Sequence, residues 1–135
     1  KTSLVRKVCE LAQSDDLKIV YLDIFSCCSD REFYDAFATA VLRQTSSKLE
    51  EWVDNAKRFL SRITPKFSIG TDPMTDFSVS LELNMKSEDV TDILQLPEKI
   101  ASDKGIKIVI CIDEFQQVGE VMVVYICRTL CCNCG

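Results

Sequence analysis

Two short stretches of this chain hold residue types whose order could do chemistry. One is Ile108 to Glu114, an apolar run (IVICI) that ends in adjacent carboxylates, Asp113 and Glu114. The other is Lys1-Thr2-Ser3, which opens a helical pattern. An apolar strand buried on both faces has no reason to end in two acids unless they project from the C-terminal edge of a sheet, where open α/β sheets bind ligands. The first acid could hold Mg²⁺, which takes oxygen donors and is bound through few carboxylates plus phosphate. The second could orient or deprotonate an attacking water. The bland alternative is that the pair marks a strand end in a polar loop.

Lys1-Thr2 matches the last two positions of G-x-x-x-x-G-K-[ST] followed by a helix, the phosphate-binding loop. In that role the lysine reaches the β- and γ-phosphates and the threonine hydroxyl ligates Mg²⁺. The free N–H groups and positive dipole end of the helix face the anion. Taken alone, a Lys-Thr before a helix is more simply an N-cap. The acidic strand downstream is what favours the phosphate reading.

The elements that must position these residues follow from periodicity. Leu4, Val5, Val8, Leu11 and Ala12 lie on one face of a helix over residues 2–14. Lys18 to Phe25 (KIVYLDIF) is a β-branched apolar run, predicted as a strand covered on both faces in a parallel sheet. Ser29 and Glu32 form a capping box for a helix bearing Phe33, Phe37 and Val41. Ser47 and Glu50 repeat that signature before Leu49, Trp52, Val53, Ala56, Leu60 and Ile63, and Pro65 ends this helix at or before Thr64. The period then changes to two. Phe67 and Ile69, then Phe77, Val79, Leu81 and Leu83, alternate with polar residues around Gly70-Thr71-Asp72-Pro73, which predicts a hairpin with a long polar loop. A short helix is expected over 87–94. A second starts at Leu96-Pro97-Glu98, with proline at the first helical position, and ends on Gly105. Ile106 to Ile112 is the second buried strand. Helices alternating with buried strands predict an α/β layered fold.

KTSLVRKV, IVYLDIF, the alternating hairpin and IKIVICIDEFQQV together resemble the AAA-like P-loop ATPases of archaea and some bacteria, relatives of the STAND signalling ATPases. The resemblance covers Lys1 to about Glu120, and Asp113 to Gln116 (DEFQ) with the strand pair are its most specific pieces. It implies a partial P-loop NTPase core at residues 1–119. That core would be a three-layer fold with parallel strands and an inserted β-hairpin, binding ATP with Mg²⁺. It implies Lys1, Thr2 and Ser3 at the nucleotide, Thr2 and Asp113 at the metal, and Glu114 as the catalytic acid. Gln116 belongs to the motif without an assigned role; Asp23 ends a neighbouring strand and could face the same edge, but is read as a strand-end residue without catalytic work. On this resemblance the chain opens inside the phosphate loop, so the fragment itself should bind nucleotide poorly. The sensor strand, arginine segment and helical lid of the family are not recognisable. Protein or DNA partners would act through domains outside the fragment, and oligomeric state is not legible.

Composition bounds the rest. The chain has 135 residues and a formal charge of −5, which gives no sign of a general nucleic-acid-binding surface. No apolar run reaches the roughly 18 residues a membrane helix needs. Of eight cysteines, Cys9, Cys27, Cys28 and Cys111 are scattered through predicted elements as small hydrophobes, which suits a reducing cytoplasm. Cys127, Cys131, Cys132 and Cys134 crowd residues 120–135. Four thiolates could bind tetrahedral zinc, but structural sites use separated pairs. The tail reads more simply as a frameshifted or read-through peptide with no designed role. A non-enzymatic α/β interaction module, using the loop around Gly70 to Pro73, is the alternative function. A thiol or zinc protein ranks below both.

Overall fold

A computed structural model describes residues 2–60, 62–68, 70–71, 78–82 and 87–115, without the side chains of Thr2 and Ser87. The described elements run α1 (Thr2–Ala12), β1 (Leu17–Asp23), α2 (Asp30–Thr45), α3 (Leu49–Phe59), β2 (Thr64–Ser68), β3 (Ser78–Glu82), α4 (Ser87–Leu94), α5 (Leu96–Lys104) and β4 (Lys107–Asp113). The order is the one periodicity predicts, and the class is mixed α/β. Strands β1 and β4 pair in parallel, in register from Leu17 opposite Lys107 to Asp23 opposite Asp113. Strands β2 and β3 form a separate antiparallel hairpin in which Phe67 faces Val79.

Side chains alternate across a strand, so β1 and β4 present two faces. Val20 and Leu22 of β1, with Ile108, Ile110 and Ile112 of β4, face the core built by Phe33, Phe37, Val41 and Leu42 of α2, Trp52 and Ala56 of α3, and Ile93, Leu96 and Ile100. Tyr21, Asp23, Cys111 and Asp113 face the other way, towards α1. Helix α2 packs on both β1 and β3, and α5 packs on β4.

The hairpin is held by its edge as well as by its apolar face. Asp35 Oδ1 accepts from the Leu81 N–H at 2.8 Å, and Arg31 donates to the Leu81 carbonyl at 3.0 Å. Thr39 Oγ1 accepts from the Val79 N–H at 3.0 Å. Arg31, Asp35 and Thr39 are four residues apart, one stripe of α2, so the helix satisfies backbone groups that an edge strand would otherwise leave open.

Several local expectations shift. Ser29 Oγ accepts from the Glu32 N–H at 3.3 Å as a capping box requires, but the Glu32 carboxylate returns to the Cys28 N–H at 2.6 Å. At the second box the N-cap is Lys48, which makes no side-chain cap bond, and Glu51 rather than Glu50 reaches back to the Ser47 N–H at 3.0 Å. Helix α3 ends at Phe59, and Pro65 lies within β2 opposite Leu81. Cys9 is buried and Cys27 and Cys111 half-buried, as small hydrophobes are, whereas Cys28 is exposed.

Two expectations of burial fail. The apolar stripe of α1 is largely uncovered, with Leu4 70%, Val8 55% and Leu11 74% exposed. β4 is not closed on both faces, because Val109 on the α1 side is 48% exposed. The sheet has two strands among the described residues, too narrow for one helix to be covered along its whole apolar arc.

Candidate functional site

The carboxyl ends of β1 and β4 bring the acidic residues together. The parallel register sets Asp23 opposite Asp113, and Glu114 follows directly. Asp23 therefore ends the neighbouring strand at the same edge as the acidic pair. Its Oδ1 accepts from the Phe25 N–H at 3.0 Å, which turns the chain away from the sheet. The Ile24 N–H still reaches the Asp113 carbonyl at 3.4 Å, so the two strands stay joined past the acids.

Asp113 is held on both carboxylate oxygens. Tyr21 Oη donates to Oδ2 at 2.6 Å, and the Glu114 N–H donates to Oδ1 at 3.0 Å. Glu114 has φ of 59°, the one positive φ at a non-glycine position among the described residues. Such a conformation is costly for a residue with a Cβ and is kept where the surroundings impose it, often beside functional groups. Here the Asp113 bond contributes to that restraint.

Arg6 supplies the site's positive charge. Its guanidinium lies 3.6 Å from Asp23 Oδ2 and stacks 5.0 Å from the centre of the Tyr21 ring. Burial first, then the hydrogen bond to Asp113, push the Tyr21 hydroxyl above its ordinary value. The bond to Tyr21, the largest cause, raises Arg6, and Asp23 and Asp113 act in the same direction.

Helix α1 and β1 are joined by the short link 13–16, tied by the Leu17 N–H to Ser14 Oγ at 3.1 Å. A helix that turns so tightly into its strand runs back along it. The first turn of α1, with Thr2 and the exposed Ser3, therefore lies at the end of the sheet that carries Asp23, Asp113 and Glu114. Lys1, Gln116, Cys127, Cys131, Cys132 and Cys134 lie outside the described residues, as do Asp72 and Pro73 of the Gly70 to Pro73 loop.

The donor set has a definite chemical character. Asp23 and Asp113 offer hard carboxylate oxygens, but no group of three or more His, Cys, Asp or Glu side chains is placed to hold a metal among the described residues.

Sequence reasoning missed Tyr21 and Arg6. Tyr21 stands two residues before Asp23, hence on the same face of β1, and that spacing is the signal that could have found it. A further cleft of about 450 Å³ is lined by Tyr21, Leu22, Asp35, Thr39, Arg43 and Ser80. Asp35 and Thr39 there are already bonded to the backbone of β3. No helix among the described residues is long and apolar enough to cross a membrane. Comparison of the chain with family models, with curated proteins and with solved structures finds no match in any of the three.

Proposed function

We propose that this chain is the core of an Mg-ATP-binding, ATP-hydrolysing domain of the AAA-like P-loop type, acting as a switch or motor module. The observation that carries the reading is the convergence of the α1 N-terminus with Asp113 and Glu114 at the carboxyl edge of a parallel strand pair. A helix start offers free N–H groups and a positive dipole end to phosphate. The carboxylates beside it supply metal and water contacts, and phosphoryl transfer to water asks for positioning and charge neutralisation rather than covalent chemistry.

Lys1, Thr2 and Ser3 would contact phosphate, with the Thr2 hydroxyl and the Asp113 carboxylate as the protein's Mg²⁺ donors. Mg²⁺, when bound, neutralises charge on the phosphate oxygens. Glu114 would orient the attacking water and accept its proton. Tyr21 fixes the rotamer of Asp113, and Arg6 offsets the charge of Asp23 beside it.

In this reading the phosphate-binding glycines precede Lys1, so the test uses the chain extended upstream by its own coding sequence. Mg-ATP at a hundredfold excess over Kd should stabilise that protein by about 2.7 kcal/mol in a thermal titration. Lys1→Ala should remove most of the shift. Glu114→Gln should keep the shift and abolish phosphate release. No shift in the extended protein sinks the proposal. Binding without turnover in the parent protein turns the domain into a nucleotide-gated scaffold.

The alternative, an interaction module acting through the hairpin, draws less support. The Val79 and Leu81 backbone groups that a partner strand would pair with on β3 are already bonded to Arg31, Asp35 and Thr39.

A further inference from the structure

The cleft of about 450 Å³ between α2, β1 and β3 has a lining ordered by size and charge. From α2 it is lined by Asp35, Ala36, Ala40 and Arg43, at spacings of one, four and three that keep them along one stripe of the helix. The two alanines leave the middle of that stripe without bulk, and charges of opposite sign stand at its ends. At 1.5 Å per residue, the eight positions from Asp35 to Arg43 span about 12 Å. Ser78 and Ser80 of β3 line one wall, and Tyr21 and Leu22 of β1 the other. Successive side chains of a strand point to opposite faces, so a cleft that touches both Tyr21 and Leu22 meets β1 at its edge. No β4 residue lines it, so this is the edge away from β4. Among the described residues that edge of β1 pairs with no strand. Asp35 keeps capacity for a ligand there. Its Oδ1 accepts from the Leu81 N–H at 2.8 Å, but the contact of Oδ2 among the described residues is the long one to Ser80 Oγ at 3.5 Å. Burial is the chief cause that raises this carboxyl, and a cation beside it would offset that cost. Arg43, at the other end, is exposed, and a guanidinium carries five donors in a fork that matches a carboxylate.

We propose that this cleft binds a short zwitterionic peptide, with its ammonium on Asp35, its carboxylate on Arg43 and its extended backbone against the open edge of β1. Three residues at about 3.4 Å each extend roughly 10 Å, which the reach of the arginine side chain matches to the separation of the two charges. The volume of about 450 Å³ lies within the roughly 300–1,000 Å³ of small-ligand sites. Strand addition draws affinity from main-chain hydrogen bonds, so the peptide needs no particular sequence beyond side chains small enough for the cleft. The outer edge of β3 does not compete for the ligand, because its Val79 and Leu81 groups are bonded to Thr39, Asp35 and Arg31. The proposal does not rest on the nucleotide reading, and it uses neither Asp113 nor Glu114.

Titration calorimetry of the whole 135-residue chain with trialanine tests it. Trialanine should bind saturably. N-acetylation of the peptide should weaken binding to the natural chain about tenfold, the scale of one charged hydrogen bond, and C-terminal amidation should do the same. In Asp35→Asn, acetylation should make no further difference, and in Arg43→Gln amidation should make none, because the partner of that end is already gone. Free alanine carries both charges too close together to reach both ends, and should bind roughly tenfold or more weakly than trialanine. Absence of saturable trialanine binding up to millimolar concentration overturns the proposal. So does acetylation that weakens Asp35→Asn as much as the natural chain, because the ammonium would then lie elsewhere. Alanine binding as tightly as trialanine overturns it too, because the two charges would then not be bridged.

Discussion

The Tyr21 hydroxyl lies 2.6 Å from Asp113 Oδ2, joining residues 92 positions apart across two adjacent parallel strands. The contact links the candidate site to the sheet that carries it. Tyr21→Phe keeps the ring and its stacking with Arg6 but removes the donor, and should cost about 1 kcal/mol in urea unfolding. The pH dependence gives the sharper readout. Because the folded hydroxyl titrates above its ordinary value of 10.0, its contribution is complete below that value and is lost as pH rises through the folded one. Wild type should therefore lose stability in the alkaline range more steeply than Tyr21→Phe. Parallel alkaline profiles would show that the bond contributes nothing.

Asp35 ties α2 to the hairpin through the Leu81 N–H, and burial is the largest influence raising its carboxyl above the ordinary 3.8. Burial therefore favours the protonated carboxyl in the fold relative to the unfolded chain. Stability linked to this group is full below 3.8 and falls as pH rises through the folded value. Asp35→Asn keeps an acceptor for Leu81 and should remove this component without loss at neutral pH. Asp35→Ala leaves the Leu81 N–H without its partner and should cost about 1–3 kcal/mol. Equal effects of the two substitutions in thermal unfolding would refute the account.

Lys104 closes α5 onto the start of α3 by donating to Glu51 and to the Thr45 carbonyl at 2.5 Å. The hydrogen bond from Lys104 is the chief cause that lowers the Glu51 carboxyl below its ordinary 4.5. A lowered carboxyl contributes stability above 4.5 that is lost as pH falls through the folded value. Lys104→Met should cost up to about 1 kcal/mol at neutral pH, since both side chains are partly solvated. The gap from wild type should narrow on acidification, leaving only the part due to Thr45. A gap that is constant from neutral to strongly acidic pH contradicts the assignment.

Gly105 ends α5 with φ of 65°, and a Cβ built there meets nothing within 4 Å. The penalty of Gly105→Ala is thus one of backbone conformation alone, about 1 kcal/mol. Gly105→Asn should cost less, because asparagine tolerates the left-handed region. Equal stability of wild type and the alanine variant by calorimetry would show that the helix end relaxes.

Elements whose signals are local were legible in the residues. Pro97 and Gly105 bracket α5 because one lacks a donor that a first turn does not use and the other has no Cβ to clash. The alternation of Phe67, Val79 and Leu81 marked the hairpin, and the two apolar runs marked β1 and β4. Ser47 was misjudged by one position, because whether Glu50 or Glu51 returns to its N–H depends on where the first turn begins, which Trp52 helps decide by donating its indole N–H to the Ser46 carbonyl at 2.8 Å.

By itself, the sequence determined the element types and their order, and the acids that end β4. Periodicity, caps and strand ends are properties of neighbouring residues, and they survive whatever the chain packs against. Only the tertiary structure decided that β1 and β4 are neighbours in register. That pairing sets Asp23 beside Asp113 and puts Tyr21 and Arg6 at the same edge. It also decided that the apolar stripe of α1 is left largely uncovered. Those relations depend on strand pairing across some 90 residues and on the rotation of a helix about its axis, and no local preference specifies either.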